Sequence, residues 1–189
     1  MKRLVQGSVV SIPLFGNLGY AYAKYIDLSK IDSKISVPDI IKVYNFHLRE
    51  VDVDLVALAS SKYLLSPMIV AGLRPTLREG KWLNIGNVDV DNFDLELPDF
   101  KDGNTTYDEI AKQEWFIVRD ASLVKRERST YDKVKYLQPY VGLGTGTIEI
   151  RLSMYVILRR KENVEDYFDL NDERYKWNYM QVIDSPALV

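Results

Sequence analysis

The stretch from Gln6 to Asp27, QGSVVSIPLFGNLGYAYAKYID, constrains the fold more than any other part of the chain. Val5, Val9, Val10, Ile12 and Leu14 supply apolar, mostly β-branched residues. Pro13 falls near the end of that run, where a missing N–H does least harm to a ladder. Gly16-Asn17 is a turn signal, because both residues tolerate positive φ. The second run alternates, with Tyr20, Tyr22, Lys24 and Ile26 on one side and Ala21, Ala23 and Tyr25 on the other. Aromatics opposite alanines fit a strand whose small side chains lie under a packed layer. The stretch predicts an antiparallel hairpin.

Composition supports a β-rich continuation. The chain has 13 tyrosines and three tryptophans in 189 residues, a length that suits one domain over 1–189 with a sizeable core. Twenty-five basic residues against 27 acidic ones argue against generic phosphate binding. The absence of cysteine excludes disulfides, thiolate nucleophiles and thiolate metal sites. No window approaches the ~18 apolar residues of a membrane span. Lys2 and Arg3 precede an apolar run, but Gln6, Gly7, Ser8, Ser11 and Pro13 interrupt it, so a cytoplasmic protein is expected.

Ile40 to Phe46 reads as a third, central strand, and His47, the only histidine, ends it. A lone histidine there is more often structural than catalytic, and any metal site would rest on carboxylates alone. Asp52 to Lys62 predicts a short helix with Asp52 or Asp54 at its start. Tyr63 to Gly72 predicts a strand broken at Pro67, Leu73 to Glu79 a turn-rich link, and Lys81 to Asn87 a short strand carrying Trp82. Asp89 to Asp108 reads as an exposed loop or edge strand with a single acidic stripe. A short helix over Tyr107–Gln113 and a strand over Glu114–Arg119 follow. Gly142 to Thr147 lacks both a third glycine at Thr147 and a Gly-Lys-Ser/Thr, so it is no nucleotide loop. From Thr147 to Leu158 apolar residues fill every second position, which favours a strand although helical spacing is also met. Val164–Leu170 reads as a short helix and Tyr175–Ile183 as a last strand. The whole is an α+β fold: a curved antiparallel sheet or partial barrel with a few short helices.

Two motifs carry a family resemblance. Gly7 through Ile12-Pro13-Leu14, followed by Gly19-Tyr20-Ala21-Tyr22-Ala23-Lys24, resembles the start of the immunity protein 26 family of bacterial polymorphic-toxin systems. Gly80-Lys81-Trp82-Leu83-Asn84-Ile85-Gly86-Asn87 resembles that family's later Trp-x-x-Ile-Gly segment. The likeness covers roughly the first half of the chain. It implies stoichiometric binding and neutralisation of a cognate protein toxin, without catalysis, cofactor, nucleic acid or membrane.

The residues themselves show no catalytic constellation. No Gly-x-Ser-x-Gly surrounds any serine, and Asp89-x-Asp91 lacks the glycine and glutamate of a calcium loop. What they offer is surface. Asp89, Asp91, Asp94, Glu96 and Asp99 form one acidic group, and Glu165, Asp166 and Asp169 belong to a second, each mixed with aromatics. Such stripes can mimic phosphate toward the basic cleft of a nuclease toxin, with aromatics as anchors and charge speeding association. They are equally explained as solvated faces. Trp82 is a candidate anchor whose alternative is a core tryptophan. Two other readings stay open: a small-ligand or enzymatic β-barrel with a pocket near Trp82, and a nucleic-acid module using Lys125–Lys135.

Overall fold

The computed structural model describes residues 3–35, 39–96, 98–103, 114–121 and 125–188. The opening hairpin is present as β1 (Ser8–Pro13) and β2 (Tyr20–Asp27), paired in antiparallel register from Val9↔Lys24 to Pro13↔Tyr20. Its turn is wider than a two-residue connection. A 3-10 turn over Phe15–Asn17 is followed by Gly19 at φ 100°. A Cβ at position 19 would stand 2.1 Å from the Leu48 carbonyl oxygen, so the tight approach to the next strand requires glycine.

β3 (Asp39–Leu48) pairs antiparallel with β2, and β4 (Met68–Ala71) with β3. β5 (Leu83–Asn87) lies on the other side of β1, and the short β9 (Leu143–Gly144) runs parallel to β4. The resulting six-stranded sheet, ordered β5-β1-β2-β3-β4-β9, stays open rather than closing into a barrel. Its register shifts at Val9/Val10 and at Ala21/Ala23, irregularities of the kind that bend and twist a sheet. A second sheet is built from β6 (Phe100–Gly103), β7 (Trp115–Val118) and β8 (Arg126–Ser129). The fold is α+β, with two sheets and several helices.

The two faces of the large sheet bury different layers. Val10, Ile12, Ala21, Ala23, Tyr25, Ile41 and Val43 share a core with α4 (Thr145–Arg159). The small Ala21 and Ala23 lie under that helix layer, as the alternation in β2 implies. On the opposite face, Ile26 and Ile40 pack with Phe100 and Val118 of the second sheet, while Val9, Tyr22 and Tyr44 pack with Leu58 of α1 (Leu55–Ala59). Asp54 caps α1, its carboxylate accepting from the Val56 N–H at 2.8 Å.

Four expectations are corrected. The 147–158 stretch is helical, within α4, and every residue from Ile150 to Ile157 is buried. A helix enclosed on all sides carries apolar residues around its circumference, so the same letters satisfy periods of two and 3.6. Tyr175–Ile183 belongs to a helix, α5 (Glu173–Asp184), capped by Asp172. Its inner positions include Asn178 and Gln181, and Asn178 receives the Arg151 Nε–H at 2.8 Å, so polar residues hid the helical stripe. Leu73–Arg78 forms α2 rather than a turn-rich link. Pro75 sits in its first turn, where a missing N–H disturbs no intrahelical bond. The 164–170 helix shrinks to a 3-10 turn over Val164–Asp166, and the helix expected over Tyr107–Gln113 lies outside the described residues. The remaining helix, α3 (Tyr131–Val134), is one turn long.

His47 lies in β3, with its ring beside Arg160 of the α4 terminus. Burial, followed by the nearby Arg160 and Arg159, pushes its pKa down. Among the described residues no helix is long and apolar enough to cross a membrane.

Candidate functional site

Lys24 and Lys42 face each other across β2 and β3, in direct register and almost fully buried. Like charges opposite one another on a sheet face repel, and burial raises the cost by removing water. This face therefore demands a carboxylate, and Asp94 supplies it. Asp94 is 1% exposed, with Oδ2 2.6 Å from Lys24 Nζ and Oδ1 3.8 Å from Lys42 Nζ. Tyr63 donates its hydroxyl to Asp94 Oδ1 at 2.5 Å, and the Asp91 N–H donates to Oδ2 at 3.2 Å. Burial pushes the Asp94 pKa up, but the bonds from Lys24, Tyr63 and the Asp91 backbone outweigh it and hold the carboxyl below its usual range. Lys42 is pushed down by burial, with Asp94 and Asp91 pulling the other way.

The network fixes the path of the acidic segment. After β5 the chain crosses this face, with the Val88 N–H bonded to the Gly7 carbonyl at 3.0 Å. Lys24 Nζ then donates to the Asp89 carbonyl at 3.0 Å and Lys42 Nζ to the Phe93 carbonyl at 2.7 Å. Asp91 and Asp94 close a small turn between them, the Asp94 N–H donating to Asp91 Oδ1 at 2.9 Å. With Asp94 turned inward, Asp89, Asp91, Asn92, Leu95 and Glu96 are exposed. Phe93 is 60% exposed; its ring lies parallel to Tyr63 within 13°, and Lys42 Nζ sits 4.8 Å from its centroid. Beside it opens a cavity of about 410 Å³ lined by both lysines, Tyr63, Asp91 and Phe93, among others.

The other sequence-derived candidates lie apart. Asp99 is neutralised by Arg119 at 2.6 Å and accepts the Asp120 N–H. Trp82 is fully buried, its indole N–H donated to Glu149 of α4 at 2.7 Å. That commits it to the core. Glu165, Asp166 and Asp169 are exposed, but the turn that carries them is anchored by Val164 and Phe168 in the α4 core, on the opposite layer from Asp94. The two acidic groups therefore form no common surface. Four cations of the basic run meet carboxylates: Lys125 pairs with Asp120, Arg126 with Asp102, Arg128 with Glu114 and Lys135 with Asp132. Among the described residues no group of three or more His, Cys, Asp or Glu is placed to hold a metal ion.

Lys24, Lys42, Tyr63 and Phe93 were missed by a reading centred on carboxylates. The signal was present, since two lysines interrupt otherwise apolar strands at positions whose neighbours alternate inward.

The family model for immunity protein 26 matches residues 5–115, more than half of the chain. That stretch contains both quoted motifs and every member of the Asp94 network. No curated protein and no solved structure matches the chain. By the extent of that match, the chain belongs to the immunity protein 26 family.

Proposed function

We propose that this chain neutralises a cognate toxin by stoichiometric contact, and that the 89–96 segment is part of the contact surface. The family membership supports the immunity role. The observation that carries the surface is the buried Lys24–Asp94–Lys42–Tyr63 network, which holds the segment from beneath while Asp89, Asp91, Phe93 and Glu96 face outward. A segment held this way loses little conformational entropy on binding. Phe93 is an exposed aromatic on a segment that also presents Asp89, Asp91 and Glu96, a combination suited to the basic cleft of a nuclease toxin. Asp94 acts as a positioning residue. On this reading the protein makes and breaks no bonds, needs no cofactor and works in the cytoplasm of the cell it protects.

The pairing of Lys125, Arg126, Arg128 and Lys135 with carboxylates weakens the nucleic-acid alternative, which needs cations free for phosphate. The burial of Trp82 weakens the pocket alternative. Reversing charge with Asp91→Lys and Glu96→Lys is expected to slow association with the toxin severalfold at low salt, with a smaller effect at high salt. Stopped-flow association rates measure this, and rates equal to wild type at both salt concentrations would remove the segment from the interface.

A further inference from the structure

The three most exposed large apolar side chains among the described residues are Val56 at 76%, Leu188 at 63% and Phe93 at 60%. They lie far apart in the sequence and meet in one place. Phe93 and Leu188 line the same cavity of about 410 Å³, together with Ala59, Leu65 and Pro67. Val56 stands about one turn before Ala59 on α1, and both are exposed, so it extends the rim along the helix. Single exposed apolar residues are ordinary, but the convergence of the most exposed ones on a concavity marks an interaction site.

The patch is held from beneath. Leu58 is fully buried and packs α1 onto Val9, Tyr22 and Tyr44. Lys24 and Lys42, two residues along the same strand face from Tyr22 and Tyr44, hold the 89–96 segment. α1 and the segment therefore lie side by side on one sheet face. Tyr63 bridges them, its ring 5.2 Å from that of Tyr44 and 6.4 Å from that of Phe93. Leu188 is fixed by its N–H, which donates to the Leu64 carbonyl at 2.8 Å. The charged groups that line the cavity or act on Lys42 balance, with Lys24, Lys42 and Lys62 against Asp91, Asp94 and Glu96. Lys24 and Lys42 are almost fully buried, so the apolar wall open to a partner is that of Ala59, Phe93 and Leu188.

We infer that the toxin seats an uncharged apolar side chain in this cavity, against Phe93, Leu188 and Ala59, with Val56 as the flanking contact on α1. The inference rests on the immunity reading and on 89–96 as a contact surface, and it carries that surface onto α1. Continuity selects the occupant: Phe93 belongs both to the segment and to the cavity wall, so a partner that covers Phe93 also covers the mouth. Balanced charge selects the chemistry, because an ionic group would enter without a counter-charge. The exposed carboxylates then govern how fast the toxin arrives, and the apolar anchor governs how slowly it leaves.

The probe is the purified toxin from the neighbouring reading frame that co-expression with this chain renders harmless. Ala59→Trp fills the cavity from an exposed helix position, and the double variant Val56→Ser with Leu188→Ser strips its rim. Urea midpoints confirm that each variant is folded. Both are expected to raise Kd about tenfold or more through faster dissociation, with association little changed, the opposite split from charge reversal at Asp91 and Glu96. Dissociation rates equal to wild type in the folded variants would overturn the inference and leave the immunity reading standing. A wild-type chain that binds no such toxin would overturn both. Self-association of the free chain that Ala59→Trp abolishes would assign the cavity to a second copy, and would also overturn it.

Discussion

Asp94→Ala is expected to destabilise the protein by about 3–5 kcal/mol in urea unfolding, the cost of removing one partner from a buried ion pair. Alanine leaves Lys24 and Lys42 facing each other at almost no exposure, and it leaves the Tyr63 hydroxyl without its acceptor. The segment above also loses the carboxylate that closes its turn through the Asp91 N–H. The pH dependence has a definite sign. The folded pKa of Asp94 is lowered, so its contribution is present above the unfolded carboxylate value of about 3.9 and is lost as pH falls through the folded value. Wild type should therefore show an acid-side loss of stability that Asp94→Ala lacks. Replacing all three charges, by Lys24→Met, Lys42→Met and Asp94→Leu together, is expected to recover most of the stability, because apolar substitutes for buried ion networks are often neutral or better. A cost below about 1 kcal/mol for Asp94→Ala would mean that the network does not hold the segment.

Trp82→Ala is expected to cost a similar amount, about 3–5 kcal/mol by thermal or urea unfolding, from the lost burial and the cavity left behind. Trp82 is among the largest fully buried side chains and sits in the α4 core just before β5. Its indole N–H ties that point to Glu149. Trp82→Phe keeps the aromatic body but removes the donor, so it should cost only about 1–2 kcal/mol, with partly exposed Glu149 turning to water. If Trp82 served instead as a ligand anchor, Trp82→Phe would leave stability untouched and change binding. The two measurements separate the roles.

The parts of the fold legible in the sequence were those whose chemistry is local. The hairpin follows from β-branched runs and a glycine-asparagine turn, α1 from Asp54 ahead of helical spacing, and β7 from the apolar run at Trp115. The helices at the far end were not legible, for opposite reasons. α4 carries apolar residues all round its circumference and so loses its period, while α5 buries Asn178 and Gln181 and so breaks its period. Both depend on packing partners far along the chain. Within the site, composition located the acidic segment but not which carboxylate turns inward. That choice is made by Lys24 and Lys42, 70 and 52 positions earlier in the chain, whose register across β2 and β3 draws Asp94 in and leaves Asp91 and Glu96 out.

Hydrogen exchange on the complex with the cognate toxin tests the central claim most directly. A one-to-one complex in which amides of 89–96 exchange more slowly than in the free chain is the expected result. A toxin that forms no stoichiometric complex, or one whose binding leaves 89–96 as exposed to exchange as before, would contradict it.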